Sequence, residues 1–141
     1  MEILADHISD RFVAELVWER LGYICKETEE QKWLAGPETP TVWRENFPEA
    51  PEVISQRKAS VQLTRSIPNE YKQALKEYLS FEGYRIGELF PRRTRRATVV
   101  NWLLAWFFLK GEKLPEIGRL PALLDPPRDP LKGHPGDPLI E

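Results

Sequence analysis

Residues 91–111 read PRRTRRATVVNWLLAWFFLKG, the most apolar stretch of the chain, led by Arg92, Arg93, Arg95 and Arg96. Thr94 is suited to a helix N-cap and Val99 to Leu109 to the helix body, so the reading starts a helix at Thr94 or Arg95 and runs it to Lys110. On a 100° wheel Val99, Leu103, Trp106 and Phe107 form the main stripe, and Leu104 and Phe108 lie well off it. A helix apolar nearly all round is normally central to its fold. In a small domain it can also bury one side in the core and turn the other to a partner, which marks Leu104 and Phe108 as candidate apolar contacts. The arginines pose a separate question. A helix N-terminus already carries about half a positive charge, so four cations there call for carboxylates from elsewhere in the fold or for an anionic partner.

Working outward, the chain has 141 residues, enough for one ordinary domain, with 41% hydrophobic residues and five Trp to build a core. Ser9 to Leu21 reads as an amphipathic helix. Phe12, Val13, Leu16, Val17 and Leu21 share a stripe, Ser9 is the N-cap, Asp10 suits the first turn and Gly22 the C-terminal exit. Residues 34–56 contain prolines at 37, 40, 48 and 51, which exclude a long helix and predict an extended segment wrapped over the surface. Trp33, Trp43 and Phe47 are expected to pin it down. Ala59 to Thr64 alternates Val61 and Leu63 with polar neighbours and is read as a short strand. Ser66 then caps a second helix with Pro68 in its first turn, Tyr71, Leu75, Tyr78 and Leu79 on its apolar face and Gly83 at its end. Residues 86–89 are read as one helical turn. After residue 110, seven prolines and four glycines fall in 31 residues, more than the roughly 25–30% that marks low-complexity chain. Residues 111–141 are therefore expected to be an extended tail, free or laid along a partner. The fold class expected is mainly α: a single domain over 1–110 of about three principal helices, with at most a short strand pair.

Chemistry is sparsely announced. The only cysteine, Cys25, rules out an internal disulfide and fits a reducing, cytoplasmic setting; following Tyr23 and Ile24, it reads as a buried structural thiol. His7 and His134 have no metal-ligand spacing, there is no glycine-rich phosphate loop, and no stretch is long enough to span a bilayer. The N-terminus lacks the pattern of a signal peptide. No catalytic residue, metal or cofactor is expected.

Net charge is −2, unevenly spread: residues 1–53 carry −7, residues 54–98 carry +6 and residues 99–141 carry −1. The acidic front and basic middle can pair within the fold, or they can form a dipolar surface that steers partners. The candidate partner-binding residues are Arg85, Arg92, Arg93, Thr94, Arg95 and Arg96, because guanidinium groups make planar, two-pronged contacts to carboxylate or phosphate. Two uses compete. The arginines pair with carboxylates, of the acidic half or of an acidic protein partner. Alternatively, residues 86–106 form a helix-turn-helix-like unit that meets nucleic acid. The low sequence pI, about 5.8, and the near-absence of polar side chains beyond Val99 weigh against the second.

Several strings together resemble a known family: LTRSIP at 63–68, GYRIGEL at 83–89 and TRRATVVNWLL at 94–104, with looser likeness in LVWERLGY at 16–23 and around Trp43-Arg44. These are similar to a family of small proteins from cyanobacteria and plastid-bearing organisms, the domain of unknown function DUF 1823. The likeness covers most of residues 10–108 and leaves out the proline-rich tail. It implies an oxygenic phototroph source and a soluble cytosolic or thylakoid-associated protein. It implies no activity and no catalytic residue. The function expected is a non-enzymatic binding or assembly module, for instance in a photosynthetic or gene-expression complex. It would present Arg85 and Arg92 to Arg96 to an acidic protein.

Overall fold

The computed structural model describes residues 3, 6–26, 32–72, 90–110, 124–125 and 127–140. Four α-helices, a two-stranded antiparallel sheet and one 3-10 turn make up the described part, in the order α1 (Asp10–Leu21), β1 (Ile24–Cys25), β2 (Trp33–Leu34), α2 (Thr41–Asn46), α3 (Arg57–Ser66), the 3-10 turn Asn69–Tyr71, and α4 (Pro91–Lys110). The protein is thus mainly α with one short strand pair.

α1 has both ends specified by its sequence. The Ser9 hydroxyl accepts from the Phe12 amide at 3.2 Å, satisfying one of the free donors of the first turn. At the other end Gly22 adopts φ +86°. The Gly22 amide donates to the Glu19 carbonyl at 3.2 Å and the Tyr23 amide to the Trp18 carbonyl at 3.0 Å, the paired bonds of a Schellman turn. Val13, Val17, Trp18 and Leu21 are buried on the inward face. The chain then turns into β1, whose Ile24 pairs with Leu34 and Cys25 with Trp33 of β2. Cys25 is only half-buried, against the expectation of an enclosed thiol; it lies on the two-residue strand β1, whose other residue, Ile24, is 49% exposed.

The proline-rich segment does wrap the surface, but it also contains the short helix α2. Its prolines flank that helix and leave its body free of them. Trp43 is 2% exposed, while Trp33 and Phe47 are half-buried against the core. Two hydrogen bonds fix the path of the segment. The Tyr23 hydroxyl lies 2.7 Å from the Phe47 carbonyl oxygen, and the Trp18 indole donates to the Pro51 carbonyl at 2.6 Å.

Residues 57–66 are helical, not a strand. Ala59, Ser60, Leu63 and Ile67 are buried, at the spacing of one helical stripe, whereas Val61 is 39% exposed. The apparent alternation of Val61 and Leu63 spans too few residues to separate the two periods, and packing of Ala59 and Leu63 against α4 decides for helix. Ser66 ends α3 instead of capping a following helix. Its hydroxyl bonds back to the Leu63 carbonyl and receives the Trp102 indole at 2.9 Å. Pro68 opens the 3-10 turn; the rest of the expected second helix and the turn at 86–89 lie outside the described residues.

α4 is the central element, as its apolar character requires. It packs on α3 and α1 and buries Val99, Trp102, Leu103 and Ala105 in the core. It begins three or four residues earlier than expected. Pro91 has the backbone angle of a first helical residue and needs no amide partner, and the Thr94 amide already donates to the Phe90 carbonyl at 3.1 Å. Among the described residues no helix is long and apolar enough to cross a membrane. The described part of the tail is not free. The Leu124 amide donates to the His7 carbonyl at 2.8 Å, and Ile140 packs against the core.

Candidate functional site

Starting α4 at Pro91 sorts its arginines by direction. Arg92 and Arg96 fall on the same stripe as Val99 and Leu103, so the face that buries aliphatic side chains farther along buries two guanidinium groups here. Arg92 is 1% exposed and Arg96 2%. Their partners come from the N-terminal end of α1 and the segment before it. Arg92 grips Asp6 with both terminal nitrogens, at 2.6 and 2.8 Å, and its Nε donates to Asp10 at 3.0 Å. Arg96 pairs with the other oxygen of Asp10 and donates to the backbone carbonyls of Ile3, at 3.0 Å, and Ile8, at 2.7 Å. Asp6 sits at φ +63°, a left-handed conformation that Asp tolerates better than most residues, and this turns its carboxylate back toward α4.

The tail closes this cluster. Asp137 lies 3.6 Å from Arg92, accepts the Asp10 amide at 3.1 Å and the His134 amide at 2.8 Å, and its side chain is 2% exposed. The Pro130 carbonyl accepts from Arg92 at 3.2 Å. His134 is buried, with Nε2 at 3.1 Å from the Asp125 carbonyl and Nδ1 at 3.6 and 3.7 Å from Asp137 and Asp6. Burial alone would raise the pKa of Asp6, but the hydrogen bond from Arg92 and the charges of Arg96 and Arg92 outweigh it and hold the carboxyl below its ordinary value. Asp137 goes the other way: burial and the neighbouring Asp10 charge raise it, against the amide bonds and Arg92. Arg92 is held in its charged form, the bonds from Asp6 and Asp10 exceeding the opposing effect of burial.

Arg92 and Arg96 are therefore internal ion partners, enclosed and not exposed to solvent. With the tail in place, a guanidinium enclosed by carboxylates and backbone carbonyls offers no open face to an outside anion. Thr94 does not cap the helix. It sits within the first turn and returns its hydroxyl to the Pro91 and Phe90 carbonyls, at 3.1 and 3.3 Å. Arg95 donates to the carbonyls of Ile54 and Ser55, at 2.9 and 3.1 Å, tying α4 to the turn before α3. Arg93 lies over the Phe90 ring, 4.7 Å from its centre. Leu104, expected at an interface, is 4% exposed, because α4 is covered on that side as well; Phe108 is 37% exposed and stacks on Tyr71. Arg85 lies outside the described residues.

Sequence reasoning missed Asp6, Asp10 and Asp137 as ion partners and His134 as part of the enclosure. One signal was available: Arg92 and Arg96 are one helical turn apart and continue the Val99–Leu103 stripe. Nothing local pointed to the carboxylates that face them, which come from opposite ends of the chain.

A different basic surface does face solvent. Two adjoining grooves share Arg57 and Val61 of α3. One, about 650 Å³, runs between α3 and α2 past Val42, Lys58 and Arg65; the other, about 390 Å³, runs between α3 and the first turns of α4 past Phe90, Thr94 and Arg95. Among the described residues no carboxylate lines either groove. Arg57, Lys58 and Arg65 are exposed, and Val42 is 54% exposed between them. Among the described residues neither groove gathers titratable groups of the kind acid–base chemistry needs, and no cluster of His, Cys, Asp and Glu could hold a metal ion.

A compact helical domain, locked at one end by internal ion pairs and bearing an open basic groove, is the class these features define. The chain belongs to the family described as Domain of unknown function (DUF1823), whose match spans residues 1–108 and so takes in Asp6, Asp10, Arg92 and Arg96 but not the tail. A solved solution NMR structure is similar to it at 49% identity and a TM-score of 0.65, covering 77% of this chain and 89% of that one. No functionally curated protein matches the chain.

Proposed function

We propose that the protein is a non-enzymatic binding module of the cytosol that receives an acidic segment of a protein partner along α3. The supporting observation is the pair of grooves that share Arg57 and Val61, with Lys58, Arg65 and Arg95 on their walls and no carboxylate among the described lining residues. Exposed Val42 and Val61 add apolar contact between the charges, the mixture a polar-rimmed protein interface uses. The expected acidic-partner function is kept, and its surface moves from Arg92 and Arg96 to α3; of the described members of the original set, Thr94 and Arg95 line it. A nucleic-acid reading has less support, since two of the arginines that a recognition helix would offer are enclosed.

The test is fluorescence anisotropy with a labelled twelve-residue poly-glutamate peptide and, separately, a labelled DNA duplex, at about 0.1 and 0.5 M salt, where the Debye length falls from about 10 to about 4 Å. The peptide should bind the wild type, and an Arg57→Glu/Arg65→Glu variant should lose at least about tenfold in affinity, about 1.4 kcal/mol. Equal binding by the variant, or no binding at all, refutes the proposal. Duplex binding with a steep salt slope, and none of the peptide, would replace it with the nucleic-acid reading.

A further inference from the structure

Besides Ile140, which packs against the core, the described part of the tail is held at the ion cluster by polar contacts. Leu131 and Leu139, two of its large apolar residues, are 55% and 86% exposed. What docks is one preformed turn. Pro135 and Gly136 occupy its corner, Gly136 has φ +89°, and the Asp137 amide closes it onto the His134 carbonyl at 3.0 Å, the residue pattern of a type II turn. The neighbouring Gly133 lies so close to the cluster that a Cβ there would stand 2.6 Å from Arg92 Nε and 2.7 Å from Asp137 Oδ2. The backbone of the tail thus rests directly on the guanidinium, and the Asp137 carboxylate reaches past it to the first amide of α1.

Without the tail, the cluster is balanced: Arg92 and Arg96 against Asp6 and Asp10. What is left over is directional. Arg92 keeps an edge facing the tail, and the Asp10 amide is an unfilled donor at a helix N-terminus, where a carboxylate is favoured. His134 Nδ1, itself buried, makes no hydrogen bond among the described residues and points between Asp6 and Asp137. We infer that the Arg92 edge and the Asp10 amide form a carboxylate-binding seat. Asp137 of the chain's own tail fills it here, and an aspartate-bearing Pro-Gly turn of a partner protein takes it when the tail is displaced. The seat belongs to the residues matched by the family and its occupant does not. It is separate from the α3 grooves, so a variant at Arg57 and Arg65 leaves it unchanged.

The probe is a labelled synthetic peptide of residues 128–140, added to the full-length chain. In the wild type, excess peptide should displace the tail, and the amides of Gly133 and Asp137 should exchange hydrogen faster. Gly133→Ala, which forces the tail off the guanidinium without removing a charge, and Asp137→Ala should each bind the peptide at least about tenfold tighter than the wild type does. A peptide carrying Asp137→Ala should bind neither. Unchanged tail exchange in the wild type at saturating peptide, or equal affinity for wild type and both variants, would overturn the inference.

Discussion

Asp10→Asn tests whether the arginines of α4 serve the fold. Asp10 is 1% exposed and accepts from Arg92 at 3.0 Å and from Arg96 on its two oxygens. The substitution keeps the shape of the side chain and removes its charge. Whichever way the amide is turned, its NH2 group faces a guanidinium donor. Arg96 suffers more, since its next carboxylate, Asp6, lies 3.6 Å away and its remaining partners are neutral carbonyls. Breaking a buried ion pair from one side costs about 3–5 kcal/mol, a large part of the roughly 5–15 kcal/mol that stabilises a domain. With a urea slope of about 1.5–2 kcal/mol per molar, the unfolding midpoint should fall by about 2 M. The assay is urea unfolding followed by tryptophan fluorescence, with exposed Arg57→Ala as a control expected to stay within about 0.5 kcal/mol of the wild type. A loss below about 1 kcal/mol for Asp10→Asn would mean that water already reaches the cluster, and the account of Arg92 and Arg96 as internal partners would fail.

Other consequences follow from single contacts. Tyr23→Phe removes the hydroxyl that anchors the Phe47 carbonyl and should cost about 1–2 kcal/mol in the same assay. Burial pushes the Tyr23 phenol up to about 12, so ultraviolet titration of the variant should lose a tyrosine transition near that pH. Gly22→Ala should destabilise by about 1–2 kcal/mol, because φ is +86° and the new Cβ would stand 3.1 Å from backbone atoms of Glu38 and Thr39; a thermal melt measures it. Stability should vary with acid in two directions. As pH falls toward 3.8, folded Asp137 takes up its proton before the unfolded chain does, which relieves a penalty present at neutral pH. Below 3.8, Asp6, whose folded value is lowered, contributes progressively less and stability falls. In Asp137→Asn the first effect should vanish from a plot of melting temperature against pH while the second remains.

Much of the fold can be read residue by residue. Ser9 and Gly22 bound α1 because capping is a local matter of one hydroxyl and one positive φ. The stripe from Val99 to Leu103 makes α4 central because a helix apolar on most sides must be covered. Prolines 37, 40, 48 and 51 keep the intervening segment from forming one long helix, as the chain alone dictates. The helix over 57–66 was not legible in this way: Val61 and Leu63 fit either period, and only the packing of Ala59 and Leu63 on α4 selects one. The arginines show the same limit more strongly. Charge asymmetry between the acidic front and the basic middle announced that some pairing was needed, and left open whether a carboxylate would come from within or from a partner. Asp6 and Asp10 stand 82 to 86 residues from the arginines they bond, and Asp137 enters from the far end of the chain. Local propensity acts over a few residues and sets caps, turns and helix faces. Which charge lies against which is decided when the ends of α1, α4 and the tail are packed together, because an ion pair depends on distance in space.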